Sequence, residues 1–313
     1  MKKELKILIF FIIFLSVIIL FFDILLSDRK VYFIRKGLEN VLEEVFKPED
    51  SNAILVLGKM GGWHYGAENT DAIFVVYLKM NSLFIIHIPR DLIVKIGNDF
   101  YKINSLWEFK KKEELLREVS LFTGLKIKKY IVFDSYLLKS VVDKIGGLKI
   151  TLIYPVTDAV TGYTLKPGTY VLNGEMVEFV ARSRYYPDGD FTRMKNQFII
   201  VKSLKEQLSK EPLEKLLSLA NFIIGLKNHY ETNLSYGEII KLINELSKIP
   251  GERIKEINIG YDKNIWLDGN FEIKINSHKV ISYGLIPKNG PGEYSTIRKL
   301  IKEKIKETIA QEH

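Results

Sequence analysis

The stretch "VARSRYYPDGDFTRMKNQ", residues 180–197, gathers Arg182, Arg184 and Arg193 within a short span. Guanidinium forks bind phosphate oxygens bidentately, at about 1.5–3 kcal/mol per charge-assisted bond. The same cluster reads equally well as a set of surface salt bridges. Asn173 is a plausible N-cap for a helix near 174–182, which sets Arg182 and Arg184 at or past the helix C-terminus. One basic residue there is explained by the macrodipole; an R-x-R pair with a third arginine nearby is harder to explain so. Asp190 is expected to cap the next helix, from about 191 to 210, with its carboxylate at free N–H groups. Arg193 and Gln197, four apart, share one face near that helix's start. Arginines and a helix N-terminus would then converge on one anion.

Two further constellations lie upstream. In "IIHIPRDLIVKIGNDFYKIN", Pro89 ends a strand and Arg90 and Asp91 follow at its carboxyl end, where open α/β sheets collect ligands. Lys102 and Asn104 come a short connection later. In "GGWHYGAENTDAIFVV", glycines precede a strand, but no G-x-x-x-x-G-K-[ST] is present and no helix follows, so a phosphate loop is excluded. Asp71 at the head of that strand is either a turn residue or a metal ligand.

These residues need a scaffold, and the periodicities supply one. "NAILVLG" reads as a buried strand. "AIFVVYLKMNSLFIIHIP" reads as two strands joined at Met80-Asn81. "EELLREVSLFTG" is a helix with Gly124 just past its end. "KYIVFD", "SYLLKSVVDKIGG" and "LKITLIYPV" read as strand, helix and strand. Helices near 213–227 and 236–248, a strand in "RIKEINIG" and a basic amphipathic helix in "EYSTIRKLIKEKIKETI" complete the chain. Strands alternating with helices argue for an α/β sandwich with a mixed sheet.

Bulk properties narrow the setting. The chain has 313 residues, 47% hydrophobic and 27% charged, with a formal net charge of +8. That is a globular composition. The basic balance admits nucleic acid, anionic lipid or phosphate-rich substrates without choosing among them. The absence of cysteine removes disulfides, thiol catalysis and thiolate metal sites. No pair among the five histidines stands at helix-ligand spacing, which speaks against a zinc enzyme. Basic "MKKELK" leads into an apolar run, and Leu5 to Leu26 as a helix would span roughly 33 Å at about 1.5 Å per residue. No A-x-A-like cleavage site follows, so the run reads as an uncleaved signal anchor. Lys2, Lys3 and Lys6 set the N-terminus in the cytoplasm. The rest would work outside the cell membrane, which argues against nucleic acid as a partner.

Taken together, "TDAIFVV", "IPRD", "KIN", "YIVFDSYLLKSVVDKIGG" and "LNGEMVEFVARSRYYPDGDFTRMKNQ" resemble, in order and spacing, the LytR-CpsA-Psr family. The likeness runs from about Asn52 to Leu208. It implies a three-layer α/β/α sandwich with a mixed central sheet, preceded by one N-terminal transmembrane helix. It also implies transfer of a glycopolymer from a polyprenyl-pyrophosphate carrier to peptidoglycan, an apolar tunnel for the lipid, and Mg²⁺ on the pyrophosphate. By this resemblance Asp71 is associated with the metal, and Arg90 faces the pyrophosphate with Asp91 beside it. Lys102 matches the basic residue before I-N. Arg182 and Arg184 match an R-x-R, Asp190 and Arg193 a D-x-x-R, and Gln197 the glutamine after it. Three positions depart from the pattern: Met60 stands where many members have a metal aspartate, Asn69 where others have arginine, and Asn196 where others have a further arginine. A glycine-rich loop with a histidine, as at His64, occurs in some members.

The expected organisation is a cytoplasmic tail at 1–4, the membrane anchor at 5–26, and a stalk or first helix at 27–50. A catalytic domain at 51–228 follows, with an extension at 229–313 packed on it or completing it. The expected chemistry has Arg90, Lys102, Arg182, Arg184, Arg193 and Gln197 gripping the diphosphate, with Asp71 on Mg²⁺. Asp190 or Asp91 would take the proton of the attacking hydroxyl. The apolar helices after residue 198 are either lipid-tunnel wall or ordinary core. A lipid-pyrophosphate hydrolase and a non-catalytic binder of lipid-linked or anionic wall polymer are the alternatives.

Overall fold

The computed structural model describes residues 53–311 except 64–65, 159–160 and 185–188. The expected tail, membrane anchor and stalk, and His64, lie outside the described residues. Among the described residues no helix is long and apolar enough to cross a membrane.

The apolar run after Asn52 forms β1 (Ala53–Lys59), buried along most of its length. It pairs antiparallel with β2 (Thr70–Lys79), and β2 with β3 (Ser82–His87). The turn between β2 and β3 is Met80-Asn81, both at positive φ, as a two-residue hairpin of this hand requires. A small hairpin, β4 (Ile93–Ile96) and β5 (Asp99–Lys102), returns the chain beneath Pro89. Helix α1 (Lys112–Thr123) ends on Gly124 in the left-handed conformation. Then β6 (Lys129–Asp134) pairs parallel with β1, and the Asp134 side chain caps α2 (Ser135–Lys144).

Peripheral strands follow: β7 (Leu148–Leu152) pairs with β10 (Gly168–Leu172), and β8 (Val156–Thr157) with β9 (Thr164–Leu165). Helices α3 (Gly174–Arg182), α4 (Asp190–Leu208) and α5 (Leu213–Ile224) come next. Beyond them lie β11 (Tyr230–Thr232), α6 (Tyr236–Ser247) and β12 (Ile254–Ile257). The hairpin β13 (Trp266–Ile275) and β14 (His278–Pro287) precedes the last helix, α7 (Ser295–Ala310).

The central sheet has six strands in the order β11-β6-β1-β2-β3-β12. It is mixed: β1 and β6 run parallel, as do β3 and β12, and the other neighbours are antiparallel. Alternate residues serve opposite faces. Ala53, Leu55 and Leu57 join one core with Phe122 of α1 and Ile297 and Ile301 of α7. Ile54, Phe74 and Ile85 join another with Ile239, Leu242 and Leu246 of α6. Helices therefore cover both faces of the sheet.

The strand directions decide where chemistry can sit. β1, β6 and β3 end, and β2 and β11 begin, at one and the same edge. Lys59, Asp134, His87, Thr70 and Tyr230 are thus brought to a common rim.

Candidate functional site

Asp71, the second residue of β2, reaches the guanidinium of Arg90, which follows β3 and Pro89 on the adjacent strand. Arg90 Nε lies 3.4 Å from Asp91 Oδ2, and Lys102, ending β5, donates to Asp91 Oδ1 at 2.9 Å. The loop is locked from behind: Asn104 N donates to Arg90 O at 3.4 Å, and Thr70 Oγ1 to Asn104 O at 3.2 Å. Burial would lower the Arg90 pKa, but Asp71, then Asp91 and Asp190, outweigh it and raise it. Burial would likewise raise the Asp91 carboxyl. Arg90, Lys102 and Arg184 outweigh that and hold it below the ordinary carboxylate range.

The second half of the site comes from α3 and α4. Asn173 caps α3, accepting from Met176 N at 2.9 Å, and the helix ends at Arg182 as its sequence implies. Ser183 then turns extended, so the two arginines part company. Arg182 stays on the exposed helix flank, 3.6 Å from Glu178 one turn back. Arg184 feels Arg90, Asp190, Asp71 and Asp91, and burial together with Arg90 pulls its pKa below the usual guanidinium value. Of the three expected arginines, Arg184, also exposed, and the buried Arg193 lie within electrostatic reach of Arg90, while Arg182 lines the cavity beside Arg193 with its charge near Glu178.

The cap expected of Asp190 is also corrected. Gly189, at φ 51°, holds the N-cap position, and Asp190 is the first residue of α4 without a side-chain cap bond. Its carboxylate instead approaches Arg193, three residues on, with Nη2 2.6 Å from Oδ1. The ion pair wins because Arg193 is only 2% exposed and needs a counter-charge. Burial, opposed by Asp190 and reinforced by Arg90 and Arg184, pushes the Arg193 pKa down to about 10, so it stays protonated at neutral pH. Gln197 lies one turn along the same face and donates from Nε2 to Ala181 O at 3.3 Å. Asn196 is buried elsewhere, accepting the Tyr154 hydroxyl at 3.0 Å.

His87 is the residue that sequence reading overlooked. It ends β3, is 1% exposed, and lies 3.7 Å from Glu256. Burial, with Arg193 adding to it, pushes its pKa down to about 3, so the imidazole is neutral. The available signal was a lone imidazole in an apolar run that ends on Pro-Arg-Asp.

The orphaned polar atoms are concentrated here. Among the described residues, the buried side-chain nitrogens and oxygens without a hydrogen-bond partner are Asn69 Oδ1, both ring nitrogens of His87, both carboxylate oxygens of Asp190, Arg193 Nε and Gln197 Oε1. The short Asp190–Arg193 contact is thus a charge pair without a directed hydrogen bond. Native interiors leave few such atoms, and each has a reason.

Behind the charged rim runs a cavity of about 270 Å³. Arg193, Gln197, Asp71 and Lys59 form its polar end. Val56, Val76, Ile131, Ile200, Leu204 and Leu242 are among its apolar walls. The helices after residue 198 therefore line a cavity as well as a core.

Among the described residues no three imidazole or carboxylate side chains group as metal ligands. Asp71 and Asp91 flank Arg90 instead. Mg²⁺ takes one or two carboxylates and completes its shell with waters and substrate phosphates. Asp71 fits that pattern as a single protein ligand; a metal centre built by the protein alone does not fit.

The LytR_cpsA_psr family model matches residues 27–283. "Regulatory protein MsrR" of Staphylococcus aureus (strain COL) is 29% identical over 206 residues, which is 61% of this chain and 62% of MsrR. The transferase TagV of Bacillus subtilis (strain 168), whose full name is polyisoprenyl-teichoic acid–peptidoglycan teichoic acid transferase, is 26% identical over 202 residues, covering 61% of this chain and 51% of TagV. The chain thus spans between half and two thirds of the length of these curated relatives. In structure, B. subtilis TagV superposes with a TM-score of 0.58 at 24% identity, over 80% of this chain and 95% of that one. TagT bound to LIIa-WTA gives 0.56 at 18% identity, over 83% and 90%. These superpositions establish the mixed α/β fold.

Proposed function

The chain belongs to the LytR-CpsA-Psr family, and from that premise we propose that it transfers a glycopolymer phosphate from a polyprenyl-pyrophosphate carrier to a hydroxyl of peptidoglycan. Glycopolymer transfer to the wall is the family-level reading that the likeness to TagV supports. The observation that carries the finer reading is that Arg193 and Gln197, each with an orphaned buried atom, line the polar end of an apolar cavity, with further orphaned atoms on Asp190 and His87 near Arg193. A polar head with an apolar tail satisfies both halves at once.

In this reading Arg90, Arg184 and Arg193 grip the diphosphate and Lys102 adds charge. Four cations against Asp71, Asp91 and Asp190 leave one net positive charge, which a diphosphate dianion reverses and relieves. The acceptor hydroxyl oxygen forms a bond to the glycan-bearing phosphorus as the bond from that phosphorus to the bridging oxygen breaks. The electron pair leaves on the polyprenyl phosphate, whose developing charge the arginines stabilise. Asp190 takes the hydroxyl proton: its oxygens accept no directed hydrogen bond, whereas Asp91 already accepts from Lys102 and Arg90. Magnesium, when bound, would be held by Asp71 and would neutralise phosphoryl oxygens. The apolar segment at 5–26 is proposed to anchor the N-terminus in the cell membrane, with the domain outside.

The test is a transfer assay with a polyprenyl-pyrophosphate-linked glycan and a peptidoglycan acceptor, using the full chain in detergent. Arg184→Ala and Asp190→Asn should each lower transfer at least about a hundredfold, while circular dichroism stays unchanged. Free glycan phosphate without attachment to the acceptor would make the protein a hydrolase. Undiminished transfer by both variants would dismiss the assigned site.

A further inference from the structure

A second group of side chains stands on the same sheet rim and is unused by the chemistry above. His229 Nδ1 donates to Asp134 Oδ2 at 2.7 Å, and Asp134 Oδ1 is held by Leu137 N at 3.0 Å. The carboxylate is thus fixed by the α2 N-terminus and in turn fixes the imidazole. In the neutral ring with Nδ1 donating, Nε2 is the acceptor nitrogen. The Tyr136 ring stacks on His229 with centroids 4.4 Å apart, yet Tyr136 remains half exposed. A large aromatic left half in water beside an oriented imidazole is a surface made to be covered.

The glycine loop is built against this pair. Ser135 Oγ donates to Met60 O at 2.8 Å. A Cβ on Gly61 would fall 2.9 Å from the Asp134 Cβ, and its φ of 73° already suits glycine. Two residues on, Trp63 is fully exposed. Ser135, Met60 and Lys59 also border the cavity mouth. Asp134 pairs with Lys59 across β6 and β1, and Lys59 with Thr70 across β1 and β2. At about 4.7–4.9 Å per strand, the Asp134 backbone stands two strands, roughly 10 Å, from the head of β2 that carries Asp71, with His229 lying beyond β6 on the β11 side. That gap is too wide for contact with the reacting phosphorus. It suits a sugar ring lying between the two places.

We propose that Tyr136 and His229, oriented by Asp134, form a subsite for a pyranose ring of the glycan. The sugar's apolar face lies on the aromatic surface, and one of its hydroxyls donates to His229 Nε2. The choice of ligand rests on the transferase reading; the geometry of the platform does not. The ring belongs either to the acceptor strand or to the glycan still attached to the carrier.

The experiment uses the full chain in detergent and two separate ligands: soluble glycan strands released from peptidoglycan, and a short prenyl pyrophosphate without sugar. Tyr136→Ala and His229→Ala should each weaken glycan-strand binding about tenfold, leaving prenyl pyrophosphate affinity unchanged. Tyr136→Phe, which keeps the ring face, should bind as the natural protein does. If the loss appears only with a third ligand, a lipid-linked glycan donor, as a raised KM for transfer while sugar-free prenyl pyrophosphate binds unchanged, the ring belongs to the carrier-bound glycan. Equal binding of both glycan ligands by the natural chain and the two alanine variants, or binding of neither by the natural chain, overturns the subsite. Failure to bind the sugar-free prenyl pyrophosphate strikes the transferase reading instead.

Discussion

Burying Arg193 is costly, and the residues around it show how the cost is met. A guanidinium out of water needs a counter-charge, and removing one partner of such a pair typically costs 3–5 kcal/mol. Asp190 supplies the charge but leaves lone pairs open, so the pair is stable and still able to receive a ligand. Asp91 does the opposite work, saturated by Lys102 and Arg90. Its carboxyl is held below its ordinary value of 3.8. A depressed folded pKa gives stability that is fully present above the unfolded value and fades as pH falls through the folded one. The stability gap between the natural chain and Asp91→Asn should therefore be constant from pH 7 to about pH 5 and shrink below about pH 4. Urea midpoints of both proteins across that range check it; a gap that holds its full size at pH 3 would refute the pairing. Residue types announced this chemistry better than they announced its direction. Arg182 and Arg184 differ by two positions, but one is the last residue of a helix and the other follows an extended Ser183. Spacing alone carries no such turn. His87 escaped notice because an apolar run does not reveal that its one imidazole faces Arg193.

Helix α3 is the element that aims Arg184, and it is seated by one close approach. A Cβ on Gly174 would lie 2.5 Å from Lys139 O and 2.7 Å from Lys139 Cα, both backbone atoms of α2. Gly174 N donates to Asp143 Oδ1 at 2.7 Å, and Lys139 reaches Glu178 at 3.3 Å, so the helices are pinned on both sides of the contact. Gly174→Ala must push α3 outward, at about 1–3 kcal/mol for overpacking. The melting temperature should fall by roughly 2–4 °C per kcal/mol in a domain of this size. Pyrophosphate affinity should fall as well, because Arg184 moves with the helix end. An unchanged melting curve would mean the two helices separate freely. This helix was readable in sequence to the residue, since Asn173 and the apolar period both mark it. The helices at 213–224 and 236–247 were readable from period alone. The β13–β14 hairpin was not. Its strands expose apolar side chains on both faces, Leu267 on one and Ile281 and Tyr283 on the other, so the alternation that marks a half-buried strand is blurred. The β4–β5 hairpin is short, and its pairing is set by Lys102 and Asp91 as much as by apolar residues.

At the scale of the molecule, the sheet is both scaffold and wall. Val56 and Val76 lie mid-strand in the central sheet, where both faces are covered by helices, yet each is only partly buried. The reason is that they face the cavity, not the packed core. A chain that closed this space would gain packing contacts, and the proposed lipid tail would supply them instead. In the proposed reading each methylene of a lipid buried there would be worth about 0.8 kcal/mol, whereas the diphosphate would be held at the rim by charge. The two contributions should therefore separate under mutation. Val56→Trp fills the cavity without touching the arginines. It should lower affinity for a long-chain prenyl pyrophosphate at least about tenfold, while affinity for inorganic pyrophosphate stays as it was. Titration calorimetry with both ligands on the full chain measures the split. Equal loss for both would mean that the new ring had displaced the rim. No loss for either would mean that the lipid tail takes some other path, and that the open space along Val56 and Val76 belongs to the protein's packing alone.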